Sequence, residues 1–280
     1  MSISQLFGRS VSVEFGVEGA PGRRLSGLRV GFNAKYRSDK TPNKCTIKIY
    51  NLAPTSLAML FVPRAVIRVF AGYGVGGEKL AFEGTPTDGG LTLEADGNGD
   101  RILSIDAEDG GRAFREAVIN ASFATPTTIG QLIGLVLAST QWSRGFIDPS
   151  IEAITLPHGC TLVGRAADIM DRIAAMSLPF GADWHVRDGT LYVVPKGTST
   201  PEVAPLFSSY TGNLIGIPTP TKDGCKFKGL MDATLRPGRA VYVKSAALEG
   251  AYIAKDVTLN GDAWGNEFEV EVEARLIGVP

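Results

Sequence analysis

Residues 267–276, Glu-Phe-Glu-Val-Glu-Val-Glu-Ala-Arg-Leu, alternate charged and apolar side chains without a break. In an extended chain Phe268, Val270, Val272, Ala274 and Leu276 fall on one side, and Glu267, Glu269, Glu271, Glu273 and Arg275 on the other. A helix would scatter both sets around its axis, so the segment is predicted as a strand with one face in a core and one in water. A slip of one residue would bury four carboxylates, which fixes the register as firmly as the conformation. The chain must therefore build at least one sheet with a dry face and a wet face.

The same period recurs through the first 110 residues or so. Val11, Val13 and Phe15 alternate with Ser12 and Glu14. A second strand is expected over residues 28–36, with Val30 and Phe32 on one face. In residues 42–52, Cys45, Ile47 and Ile49 oppose Lys44, Thr46, Lys48 and Tyr50. Asn51-Leu52-Ala53-Pro54-Thr55 stops that strand, and Ser56 to Leu60 can form one short helix. Ala65 to Tyr73 is apolar on both faces, as a central strand would be. Gly72-Tyr73-Gly74-Val75-Gly76-Gly77 turns the chain into residues 78–84, and Asp96-Gly97-Asn98-Gly99-Asp100 turns it into residues 101–106. The 34 glycines suit many such turns, and short strands at this spacing point to a barrel or sandwich.

The period changes in the middle. Thr128-Ile129-Gly130-Gln131 has the form of a capping box, ahead of a helix with Ile129, Leu132, Ile133 and Val136 at helical spacing. A second helix is predicted over residues 162–177. Leu162, Ala166, Ile169, Met170 and Ile173 share one of its faces, and Asp168 can pair with Arg172 on the other. Residues 182–187 and 190–195 read as a hairpin closed by Asp188-Gly189. Lys196 to Pro201 has a linker's composition, after which strands return at residues 239–244 and 252–259. The order is a β region, a small α+β module and a second β region.

Composition narrows the function. Apolar residues are 44% and charged residues 20% of the 280, enough to bury a core. A net charge of −1 argues against a basic nucleic-acid binder. No apolar run reaches about 18 residues, so no membrane insertion is expected. The N-terminus lacks the basic and apolar regions of a secretory signal. Cys45, Cys160 and Cys225 are odd in number and widely spaced, as free thiols in a reducing compartment would be.

Candidate chemistry is sparse. Gly72-x-Gly74-x-Gly76-Gly77 has the look of a dinucleotide loop, but a strand pattern follows it, so no helix N-terminus is offered to a phosphate. Asp96-x-Asn98-x-Asp100 starts like a calcium loop, yet Arg101 and Ala107 stand where Gly and Glu are required. His158 lies two residues from Cys160 in a loop expected to enter the second helix; His185 is the only other histidine, and no complete zinc set is formed. Asp106, Glu108 and Asp109 could serve as the paired carboxylates of a glycoside hydrolase, or cap a helix start. Trp142, Trp184 and Trp264 read as core or interface anchors. No catalytic, cofactor-binding or metal-binding residue is assigned, and no cofactor is expected.

Pro42 through Leu52, Phe70-Ala71-Gly72-Tyr73 with Phe82-Glu83-Gly84, and Thr161 through Trp184 with Asp188-Gly189 form an ordered series. Asn213 to Pro218, Gly224 to Leu230, Leu235 to Arg239 and Leu259-Asn260-Gly261-Asp262 continue it. The series resembles the baseplate hub family of tailed bacteriophages, the tail tube-like, protein D-type hubs of contractile-tailed phages. The resemblance implies a mainly β protein with an α+β insert: two tube-like antiparallel β-barrel domains (1–115 and 198–280) flanking the α+β module (116–197). It implies no enzyme. It implies a homotrimeric, pseudo-sixfold ring joining the tail tube protein to the central spike protein, in contact with other baseplate proteins. Such a ring belongs to the virion, is assembled in the host cytoplasm, and passes genomic DNA through its lumen without specific binding. The Glu267–Glu273 row then either lines that lumen, repelling phosphate, or solubilises an outer face. A tail tube or distal-tail component, or a cell-wall glycan hydrolase or carbohydrate-binding module, are the alternative readings.

Overall fold

The computed structural model describes residues 8–17, 22–38, 41–62, 65–74, 76–95, 97, 99–109, 117–124, 126–140, 142–179 and 181–278. Of the features singled out above, residues 1–7, Val75, Asp96 and Asn98 lie outside them. The first region holds β1 (Arg9–Val17), β2 (Arg23–Leu25), β3 (Val30–Tyr36), β4 (Asn43–Tyr50), the helical turn α1 (Pro54–Leu57), β5 (Ala65–Tyr73), β6 (Lys79–Ala95) and β7 (Arg101–Asp109). The middle module holds β8 (Val118–Phe123), β9 (Thr127–Thr128), α2 (Ile129–Thr140), β10 (Ser143–Ile147), α3 (Pro149–Glu152), β11 (Thr155–Leu156), β12 (Cys160–Arg165), α4 (Ala166–Met176), β13 (Ala182–Arg187) and β14 (Thr190–Pro195). The last region holds β15 (Leu206–Ser208), β16 (Leu214–Thr221), β17 (Gly224–Leu230), β18 (Ala240–Lys244), β19 (Glu249–Asp262) and β20 (Phe268–Leu276).

The fold is mainly β with an α+β insert, and its two β regions share one 13-stranded sheet. The first region follows the path β3-β4-β7-β6-β5-β1, and the last follows β16-β17-β20-β19-β18-β15. Numbered by order in the chain with the short edge strand β2 left out, these are the same path, so the strand arrangement is duplicated. One departure is that β15 runs parallel to β18 whereas β1 runs antiparallel to β5. The two copies are joined by an antiparallel ladder between β3 and β19, with Ala34 opposite Leu259. One apolar core runs beneath both regions, and Tyr73 of β5 packs edge-on against Phe268 of β20, ring centroids 5.1 Å apart.

The alternation that opened the analysis holds in β20. Phe268, Val270, Val272 and Ala274 are buried and the intervening glutamates are half-buried. Leu276 departs from it, because the strand ends there and leaves the side chain 43% exposed. β5 is apolar on both faces and lies between β1 and β6.

The middle module has its own core, in which α2 and α4 pack Ile129, Leu132, Ile133, Ile169, Met170 and Ile173 together. The capping box forms: Thr128 N donates to Gln131 Oε1 at 3.0 Å, and Gln131 N to Thr128 Oγ1 at 3.2 Å. The second helix is shorter than predicted. Residues 160–165 form β12, laddered to β8, and the helix starts only at Ala166. Thr161, Val163 and Gly164 are poor helix formers, and a ladder partner was available. Arg172 donates to Thr161 O at 3.1 Å. Residues 196–201 are also more than a linker: Thr200 is buried and bridges Arg239.

Candidate assembly site at the junction of the three regions

The Asp188-Gly189 turn has positive φ at both positions (47° and 70°), the backbone a tight two-residue hairpin needs. This hairpin tip reaches the seam between the two β regions. Asp109, at the end of β7, receives it: Asp188 N donates to Asp109 Oδ2 at 2.9 Å, and Gly189 N to Oδ1 at 3.1 Å. Asn43 of β4 adds a bond to Oδ2 at 3.1 Å and another to Val186 O at 3.2 Å. Burial, and then the negative charge of Asp188, push the Asp109 carboxyl above its ordinary range.

Arg236 closes the node from the second β region and is 3% exposed. Its Nε pairs with Asp188 Oδ2 at 3.1 Å. Nη1 donates to Ala233 O and Leu235 O, and Nη2 to Leu80 O and Ala81 O, at 2.7 to 3.1 Å. The guanidinium also stacks over Tyr36, 4.2 Å from the ring centroid. Three regions of the chain thus meet on one buried, hydrogen-bonded cation.

The wet face of the sheet is mixed in charge. Lys226 pairs with Glu273 at 2.7 Å, and Lys228 with Glu269 at 3.0 Å and with Glu271. Lys255 also approaches Glu273 at 3.7 Å. This corrects the purely acidic row expected from β20 alone, because its neighbour β17 supplies a lysine opposite each of Glu271 and Glu273.

The remaining candidates are dispersed. Asp106 accepts from Thr46 Oγ1 at 2.7 Å and Glu108 pairs with Lys44 at 3.5 Å, both on the wet face, while Asp109 points inward. Strand alternation therefore separates the carboxylates proposed to act together. His158 is exposed in a loop that enters β12, not a helix, and Cys160 is half-buried. Cys45 and Cys225 are buried. Among the described residues no group of three or more His, Cys, Asp or Glu side chains could hold a metal ion. Gly72 and Gly77 stand close together between β5 and β6, where a Cβ on Gly72 would stand 2.2 Å from Gly77 O. Trp142 and Trp184 lie 6.3 Å apart in the module, and Trp264 is 71% exposed at the β19–β20 turn. Among the described residues no helix is long and apolar enough to cross a membrane.

A cleft of about 1130 Å³ opens between the module and the second β region, lined by Asp171, Trp184, His185, Lys222, Glu273 and Arg275. Arg275 reaches across it to Asp183. Burial, and then the charge of Arg187, hold the His185 imidazole down at about 3. Between that value and the ordinary 6.5 the unfolded chain binds a proton that the folded chain does not. Stability contributed here is complete above pH 6.5 and is lost as pH falls toward 3, by up to about 1.4 kcal/mol per pH unit. Urea midpoints should drop further between pH 7 and pH 5 for the native chain than for His185→Gln; equal drops would contradict this.

No family model matches the chain, and no curated protein matches its sequence. Solved structures do match. The 43 kDa tail protein of prophage MuSo2 from Shewanella oneidensis superposes with a TM-score of 0.64 at 9% identity, over 95% of this chain and 96% of that one. The tail protein from Neisseria meningitidis MC58 gives 0.64 at 11%, over 97% and 98%. An E. coli component of the type VI secretion system, described as structurally similar to the T4 bacteriophage tail proteins gp27 and gp5, gives 0.59 at 12%, over 94% and 76%. The chain has the fold of these proteins.

Proposed function

We propose that this chain is a structural protein of a phage tail baseplate, a hub whose three copies form a ring between tail tube and central spike. The duplicated strand path carries the reading. A chain with two equivalent β units, residues 1–115 and 198–280, presents six similar units when three copies close. Such a ring matches a sixfold tube on one side and a threefold spike on the other. The fold shared with prophage tail proteins supports the same reading. No catalytic step is assigned: the acidic residues of β7 are spent on Thr46, Lys44 and the hairpin turn. The paired Lys–Glu face suits a lumen through which DNA passes without sticking, since neither sign of charge dominates it. Its place is the virion, reached by assembly in the host cytoplasm.

Light scattering on the purified full chain should give three times the 29.7 kDa chain mass, and in a complex with its tube and spike partners three copies of this chain. A six-chain mass would favour a tube or distal-tail component instead. A single-chain mass persisting with both partners present would overturn the hub reading.

A further inference from the structure

We propose that Arg187, Arg239 and Thr200 form an oxyanion site, filled in this structure by the chain's own Glu202 and open to an external carboxylate or phosphate when residues 201–204 lift away. The site belongs to one chain, so its failure would leave the hub reading untouched.

Arg187 ends β13 beside the hairpin turn, and its side chain is 4% exposed. A buried guanidinium needs a counter-charge and a partner for its N–H groups. Nη1 donates to Glu202 Oε2 at 3.2 Å and Nη2 to Thr200 Oγ1 at 3.3 Å, and the guanidinium stacks 4.2 Å from the centroid of the Tyr192 ring. Its Nε is buried with no hydrogen-bond partner among the described residues. The same holds for Nδ1 of His185, two residues back on the same face of β13. Gly238 makes room for both side chains: a Cβ there would stand 2.8 Å from Arg187 Nη2 and 2.6 Å from His185 Cδ2.

Arg239 brings a second cation. Its Nη1 donates to Thr234 O at 2.8 Å and its Nη2 to Val203 O at 3.1 Å. Its Nε lies 3.0 Å from the same Glu202 Oε2, outside hydrogen-bond geometry. Buried Thr200 adds its hydroxyl, donating to Oε2 at 3.1 Å. One carboxylate oxygen thus serves two guanidiniums and a hydroxyl, and Arg187 and Arg239 together outweigh Glu202 by one charge. Burial pulls the Arg187 guanidinium below its ordinary range, against the charge of Glu202. Forked N–H donors of this kind match the oxygens of a carboxylate or a phosphate.

The occupant is also the exposed member. The Glu202 side chain is 39% exposed and that of Arg239 15%, so the carboxylate stands between the two cations and water. Pro201, Glu202, Val203 and Ala204 belong to no helix or strand, and all four are exposed, Val203 at 88%. Glu202 and the carbonyl of Val203 are held by the arginines. The segment is therefore pinned by the cations it covers rather than by packing.

Glu202→Gln keeps the shape of the occupant and removes its charge. Thermal midpoints of this variant and of the native full chain are measured as inorganic phosphate replaces chloride at constant ionic strength. In chloride the variant should melt about 4 °C lower. In phosphate it should recover most of that loss, saturating in the millimolar range, while the native midpoint moves far less. Equal shifts in the two chains would overturn the site. A blocked tetraglutamate peptide run in place of phosphate separates the sources: recovery with the peptide assigns the site to an acidic segment of a partner, and recovery with phosphate alone to a free anion. The native chain supplies the second arm and needs no variant to fold. Amide hydrogen exchange over residues 202–204 should be faster in phosphate than in chloride, and equal rates would overturn the exchange of occupants.

Discussion

A chain carrying Val270→Glu is expected to show no cooperative unfolding transition at all. Val270 is fully buried, opposite Leu259 on one side and Gly229 on the other, in the strand bonded to both β17 and β19. A carboxylate there has no partner, and the penalty for an uncompensated buried ion is several kcal/mol. The whole net stability of a domain is about 5–15 kcal/mol. Glu271→Val, one residue along, should melt within about 1 kcal/mol of the native chain, because it removes only a half-exposed pair whose Lys228 keeps Glu269. Circular dichroism melts of the two variants decide the matter. A native-like transition in Val270→Glu would mean that the dry face of β20 has been assigned wrongly.

Arg236→Met should cost about 3–5 kcal/mol, the range for breaking one side of a buried ion pair. It strips Asp188 of its cation and removes the guanidinium donors from the carbonyls of Leu80, Ala81, Ala233 and Leu235, of which Ala81 keeps the Tyr36 hydroxyl, inside a node where Asp109 is already a buried carboxyl. Arg236→Lys should not restore the loss, since one ammonium cannot reproduce the planar fork of donors. Urea denaturation of the three chains is the measurement. A loss below about 1 kcal/mol in Arg236→Met would show that the node does not tie the regions together.

Local patterns were readable where one element decides its own conformation. β20 announces its faces by alternation, the β13–β14 hairpin by Asp188-Gly189, and the start of α2 by Thr128 and Gln131. Residues 160–165 misled because Leu162 continues the helical stripe of Ala166 and Ile169, while the ladder that claims them comes from β8, distant in sequence. The node was invisible for a related reason. Asp109 reads as a candidate catalytic acid, Asp188 as a turn residue and Arg236 as a loop residue beside Pro237-Gly238, and only the tertiary fold brings them together. The duplication leaves little trace because its equivalent positions share side-chain class more than identity: Cys45 and Cys225 match, as do Leu93 and Leu259, but Ile47 answers to Phe227. Alternation records which side is dry, not which strand lies next to which.

End-on electron-microscopy averages of the purified assembly, alone or bound to its spike or tube partner, test the hub reading most directly. The expected image is a ring with an open centre, threefold in true symmetry and near-sixfold in outline, six β units alternating between two similar kinds. A ring with strict sixfold symmetry built from six chains, or particles with no closed ring in any preparation, would contradict it.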